Sequence, residues 1–244
     1  MKKVTHIFLA IILACPMLTF GQINNFSILS LDFGANSTWI LNQNMYGNPE
    51  LNYNLKFGFS DVVSYKYFIN KYGYSIGLGL GNLGQKYSGT MVGADAKFRQ
   101  SLTYLEVPVM GMYRLGDNNQ QTWISFGPQL MYLVSAQQDF QRENGQLIPE
   151  PEMLSPGSTD VINRFNIFDI MLAVETAHIF ASKFTNVKPF NSDHKTMWTF
   201  SLKGAIGLTD INSQEFRVSI TRNLFTGSHN FYLGVNIGYL FNRL

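Results

Sequence analysis

The chain has 244 residues, of which 18 are basic and 16 acidic, and only 14% are charged while 14% are aromatic and 21 are glycine. So balanced a charge leaves no basic excess for nucleic acid, and the single cysteine, Cys15, rules out a disulfide framework. Three histidines beyond residue 100 (His178, His194 and His229) have no His, Cys or carboxylate at ligand spacing, so neither a metal nor another cofactor is expected.

The N-terminus reads as a signal peptide over residues 1–21, followed by a single domain over 22–244. Lys2 and Lys3 form the basic region, Ile7 to Ala14 the short apolar core, and Thr19-Phe20-Gly21 the cleavage site. The apolar run is too short for a spanning helix, which needs about 20 residues, and Pro16 interrupts it. Cys15 is followed by the apolar Pro16-Met17-Leu18, unlike the polar tether of a lipoprotein. Cleavage would remove Lys2, Lys3 and Cys15, leaving a formally neutral chain without cysteine.

The rest of the chain alternates with a period of two. Leu29, Leu31 and Phe33 oppose Ser30 and Asp32; Tyr53, Leu55, Phe57 and Phe59 oppose Asn54, Lys56, Gly58 and Ser60. Tyr74, Ile76, Leu78 and Leu80 oppose Ser75, Gly77, Gly79 and Gly81. The glycines of that stretch lie in a strand with no helix after it, so they read as small interior residues and not as a phosphate loop. The pattern recurs through Leu105–Val109, Phe168–Val174, Trp198–Leu208 and Phe231–Phe241, and less cleanly over Ile124–Val134. One face is bulky and apolar, the other small and polar. A soluble sandwich also alternates but exposes charge freely, which this chain is too poor in charge to do. The fold expected is all-β: an antiparallel transmembrane up-and-down β-barrel with bulky groups toward lipid and small polar groups inside.

Eight strands are predicted, at 26–35, 52–69, 73–84, 99–114, 122–136, 165–179, 197–209 and 229–241. Ten is the alternative, because residues 215–221 also alternate. An even number puts both termini in the periplasm, with short turns at 70–73 and 116–119 and extracellular loops at 36–51, 85–98, 137–164 and 210–228. Tyr65, Tyr67, Tyr74 and Trp198 would form the periplasmic aromatic girdle. Two residues fit poorly. Trp123 has the parity of the interior, and Asp61 points to lipid unless a bulge near Ser60 re-aims it.

The stretch Leu102-Thr103-Tyr104-Leu105-Glu106-Val107-Pro108-Val109 resembles the characteristic strand of the PorT-like outer-membrane β-barrel proteins of Bacteroidetes-type bacteria. Phe168-Asp169, Gly207-Leu208-Thr209-Asp210-Ile211-Asn212 and the terminal Leu233-Gly234…Gly238-Tyr239-Leu240-Phe241 extend the resemblance over nearly the whole domain. It implies a multi-pass barrel of the outer membrane. It further implies an accessory, non-enzymatic role in type IX protein secretion, the export and maturation of sorting-domain cargo such as secreted cysteine proteases. The chain departs from a terminal aromatic by ending Asn242-Arg243-Leu244.

Candidate functional residues are few. Asp32, Lys56, Lys66, Glu106, Asp169, Glu175 and Lys203 should face a narrow lumen, where they must pair as a structural plug. Expected partners are membrane lipid and other secretion proteins, the latter meeting Lys183, Lys188 and Lys195 in the basic periplasmic connection 181–196. The acidic loop 138–163 gives an alternative, a surface adhesin or ligand binder. Ser228-His229 gives a third, a hydrolase at the barrel rim, which adjacent strand residues pointing to opposite faces disfavour.

Overall fold

The computed structural model describes residues 25–41, 52–91, 94–115, 122–143, 157–181, 197–216 and 227–242. The signal segment 1–21, the lysines of 182–196, the middle of the acidic loop and residues 217–221 lie outside them.

Among the described residues ten strand segments form one sheet: β1 (Asn25–Leu41), β2 (Asn52–Asn54), β3 (Lys56–Ile69), β4 (Tyr72–Met91), β5 (Ala94–Leu115), β6 (Thr122–Glu143), β7 (Gly157–Asp160), β8 (Phe168–Ala181), β9 (Met197–Gly207) and β10 (His229–Asn242). The eight long ones pair antiparallel in chain order, and β1 pairs with β10 to close the ring. β2 continues the line of β3 past Leu55, and β7 pairs only with the far part of β6. Closure leaves none of the eight long strands as an edge strand, as a sheet crossing lipid requires.

Alternation decides which way each side chain points. Phe33, Phe57, Ile76, Phe126, Val174, Leu202 and Ile237 stand outward and are about half exposed or more, Phe57 reaching 73%. No aqueous surface carries so continuous an apolar belt, and a lipid-facing wall requires one. Tyr67 against Tyr74, Tyr72 against Tyr113 and Trp198 against Tyr239 ring the end where the chain reverses at Asn70-Lys71. This is the turn end, and the opposite one is the loop end. Asn70 takes a left-handed φ of 56°, which its short polar side chain tolerates.

The strands run further toward the loop end than the sequence suggests. β1 continues to Leu41, and β4 and β5 pair until Met91 meets Ala94, so the first six residues of the predicted loop 36–51 and most of the predicted loop 85–98 are strand. The reason is chemical: beyond the lipid both faces become polar and the alternation fades, while the backbone ladder persists. Conversely β8 starts at Phe168, because a 3-10 turn at Ile162–Arg164 and an isolated bridge from Phe165 to Asn212 occupy the preceding residues. Of segment 215–221, Glu215 and Phe216 belong to a 3-10 turn, not to a strand.

No bulge re-aims Asp61. β3 keeps unbroken register there, with Asp61 opposite Phe33 on β1 and Leu80 on β4, so the carboxylate stands on the outer wall. The irregularities lie elsewhere. The β5–β6 register shifts between Thr103 and Tyr104. At Gly84, φ is +135°, and a Cβ would strike the Gln100 carbonyl.

Candidate functional site

The barrel interior is layered. At the turn end, inward-facing Ile28, Phe68, Met112, Trp123, Ile179 and Met197 form an apolar stopper. Trp123 is 1% exposed and packs its ring 5.9 Å from that of Phe68. The interior parity of this tryptophan thus marks a plug, and the same parity of large apolar residues at several strand ends is the signal from which that plug could have been read.

Above the stopper lies a polar layer. Lys66 Nζ donates to Asp32 Oδ2 at 3.2 Å and sits 5.5 Å from the Trp123 ring centre. Ser30 Oγ donates to the same carboxylate oxygen at 2.8 Å. Glu175 and Lys203 are register partners on β8 and β9. Lys203 Nζ lies 5.8 Å from the Tyr232 ring centre, and Tyr232 Oη donates to Gln129 Oε1 at 2.9 Å. Glu106 accepts from Ser60 Oγ and Gln129 Nε2. The cavity remaining between Asp32, Lys66, Glu175 and Lys203 measures about 30 Å³, room for roughly one or two waters.

Nearer the loop end, Asn230 Nδ2 donates to Asp169 Oδ2 at 2.9 Å and to Tyr104 Oη at 3.1 Å. Lys56 Nζ donates to Asn82 Oδ1 at 2.6 Å and to the Leu83 carbonyl at 2.9 Å. A second apolar cluster including Ile40, Leu83, Leu102, Met131 and Met171 packs around these groups.

The seven charges named from sequence therefore share one interior, but they do not pair throughout as ions. Asp32 and Lys66 form a close ion pair. Lys56, Glu106 and Asp169 are satisfied by amides, hydroxyls and a carbonyl. A neutral partner suffices because a buried charge needs hydrogen bonds in good geometry as much as a counter-charge. Ser60, Gln129, Asn230 and Tyr232 supply those bonds. Sequence alone did not single them out, since scattered polar residues acquire partners only when the ring closes.

Among the described residues the rim assembles no nucleophile and base. Ser228 Oγ is buried and accepts from Asn212 Nδ2 at 2.9 Å, while His229 Nδ1 lies 2.9 Å from the Thr209 carbonyl. Asp210 Oδ1 accepts from the backbone N–H of Asn212 and of Ser228, so it ties the rim together. Among the described residues no group of His, Cys, Asp and Glu could hold a metal ion.

On the outer face, beyond the apolar belt, lies a concavity of about 530 Å³ with Lys86, Lys97, Arg99 and Asp139 on its walls. Arg99 Nε and Nη2 donate to Asp139 Oδ2 at 2.9 and 2.6 Å. Partial burial raises the Asp139 pKa, but the hydrogen bonds from Arg99 and Ser158 and the Arg99 charge outweigh it and hold the carboxyl below its ordinary value.

Among solved structures the chain is similar to Neisserial surface protein A at 11% identity and a TM-score of 0.38, covering 88% of this chain and 97% of that one. It is similar to OprG of Pseudomonas aeruginosa at 12% identity and a TM-score of 0.36, covering 90% and 96%. Ail of Yersinia pestis follows at 12% identity and a TM-score of 0.21, covering 86% and 99%. No curated protein matches the chain. Residues 20–213 match the outer membrane protein beta-barrel domain, four-fifths of the sequence, and the chain belongs to that family of outer-membrane barrels.

Proposed function

We propose that this barrel is a non-enzymatic accessory of protein secretion, of the type IX kind, acting on the export and maturation of sorting-domain cargo such as secreted cysteine proteases. The observation that carries the reading is the filled lumen. With an apolar stopper and a cavity of about 30 Å³, the described residues leave no path for anything larger than water, so function is assigned to turns, loops or the outer wall. The resemblance of Leu102–Val109 to PorT-like proteins supports the secretion role. In this chain the motif is spent on the interior: Tyr104 and Glu106 both enter the lumen network. The contacts with partners are therefore assigned to other residues.

In this reading residues 1–21 are a cleaved signal, and both termini and the turn end face the periplasm. Lys183, Lys188 and Lys195 then meet secretion partners, and Asp61 offers a carboxylate to a neighbour within the membrane plane. Deleting residues 184–192 should reduce export of sorting-domain cargo while the barrel still inserts and keeps heat-modifiable gel mobility. Normal export after the deletion refutes the docking role, and normal export without the protein refutes the secretion role.

A second reading has one observation in its favour. The base of the acidic loop 138–163 is a built hairpin, with Gln137–Phe140 paired to Gly157–Asp160 and Arg164 Nη1 donating to Gln138 Oε1 at 3.0 Å. A surface adhesin would present such a loop. Replacing residues 144–156 with a short Gly/Ser link should then abolish surface binding and leave export unchanged.

A further inference from the structure

Three cations from two neighbouring strands converge on the outer face of the barrel, beyond the apolar belt. Lys86 on β4 and Arg99 on β5 are register partners, and Lys97 follows on the same face opposite Ser88. Asp139 orients the Arg99 guanidinium, yet the arginine side chain stays 53% exposed. Among the described residues lining the concavity between them, Asp139 is the one carboxylate beside these three cations. Asp95, two positions past Lys97, bounds the patch.

Height above the membrane selects the ligand. The last outward apolar side chains on β4 and β5 are Leu80 and Leu105. Lys86 and Arg99 stand six residues beyond that apolar edge. At about 3.3 Å per residue and a tilt near 40°, this is roughly 15 Å beyond the last apolar side chains of these two strands, while Leu55 on the neighbouring line, 47% exposed, borders the same concavity. The interfacial layer of a phospholipid bilayer is only about 5–8 Å thick on each side. Lysine side chains can reach down part of the way. A phosphate carried on a sugar headgroup meets them at the height where they stand.

We propose that Lys86, Lys97 and Arg99 form a binding site for the phosphorylated sugar headgroup of an outer-leaflet glycolipid, seated against the strand extensions of β4, β5 and β6. The proposal requires the loop end to face outward and is independent of any secretion role. The cations supply charge, and the strand ladder holds them in fixed spacing. Bound glycolipid would fasten the barrel vertically in the membrane.

The test uses the folded barrel in zwitterionic bilayer discs, titrated with phosphorylated lipooligosaccharide. The same lipooligosaccharide stripped of phosphate, phosphatidylglycerol and inorganic phosphate serve as comparison ligands. At about a five-fold contribution per cation, the triple variant Lys86→Gln/Lys97→Gln/Arg99→Gln should bind at least ten-fold more weakly. Lys71→Gln at the opposite end should bind as the unaltered protein does. Dephosphorylated glycolipid should bind weakly, and added salt should weaken binding. All three side chains project from the wall, so the variant should keep heat-modifiable mobility. The salt and dephosphorylation arms on the unaltered protein stand even if it does not. Equal binding by variant and parent, or equal binding of glycolipid with and without phosphate, overturns the site. Phosphatidylglycerol or free phosphate binding as tightly as the glycolipid overturns the headgroup assignment. Displacement of the glycolipid by an equal concentration of polyglutamate reassigns the surface to an acidic protein and overturns it too.

Discussion

The carboxylate of Asp32 occupies the space that a side chain on its register partner Gly238 would fill. The same exchange repeats along the closing seam of the ring: Asn236 lies over Gly34, and Asn36 over Gly234. Each of these three inward polar side chains faces a glycine on the other strand, which lets a narrow barrel hold hydrogen-bonding groups without forcing β1 and β10 apart. Gly238→Ala should press on both Asp32 and Thr199, disturb the Lys66 ion pair and destabilise the barrel by about 1–3 kcal/mol. Gly111→Ala is the control, since its new methyl would meet only the Phe126 carbonyl at 3.7 Å. Urea titration of both variants in lipid vesicles measures the difference. Equal stability of the two would show that the seam does not need its glycines.

Asp61 makes the opposite prediction. It stands outward between Phe33 and Leu80 on a wall built for lipid. A lipid-facing charge near the bilayer middle destabilises a barrel by up to a few kcal/mol, less for an acid than for a base. Asp61→Leu should therefore raise the unfolding free energy of the isolated barrel in lipid by roughly 1 kcal/mol. The change that stabilises the isolated barrel should impair export in cells, if a partner takes up this carboxylate. Higher stability with unchanged export would confine Asp61 to a local cost.

The outward patch yields a pH prediction. The Asp139 pKa is depressed in the folded barrel, so its contribution is present above the ordinary carboxylate value near 4 and is lost as pH falls through the depressed value. The carboxyl should remain ionised below pH 4, which carbon-13 NMR of the side chain would detect. Asp139→Asn should remove that acid-side stability loss. It should also leave Arg99 less ordered, with only a small effect at neutral pH because the pair is partly exposed. Titration of Asp139 at or above pH 4 would mean that Arg99 does not hold it.

How far the molecule could be read from sequence follows from what lipid demands. Across the belt one face must be apolar, so Phe57, Phe59, Leu78 and Leu80 declare their direction and the strands are legible almost to the residue. Past the belt that demand ends. Gln85 and Lys86 on β4, or Arg99 and Gln100 on β5, are polar on both faces, and a paired strand there looks like a loop. The interior was legible as a set of charges but not as a network. Glu106 finds Gln129 on the neighbouring strand, whereas Asn230 reaches Tyr104 across the barrel. Trp123 and Met197 carried the stopper in their parity, which makes sense only once the same parity is seen at the ends of several strands.

The central claim is that alternate residues of one strand face lipid and a sealed interior. Adjacent single cysteines at Val63 and Ser64, in a chain with Cys15 replaced, test it most directly in lipid vesicles. Val63 is 48% exposed on the outer wall, and Ser64 is 5% exposed inside, its Oγ 2.7 Å from that of Ser30. A fluorophore at position 63 should be quenched by lipid-borne quencher and not by aqueous iodide. A cysteine at position 64 should resist water-soluble thiol reagents from both sides until the barrel is unfolded. Rapid aqueous labelling of position 64 in the folded barrel would mean an open lumen, and iodide quenching at position 63 would mean a wall that does not face lipid.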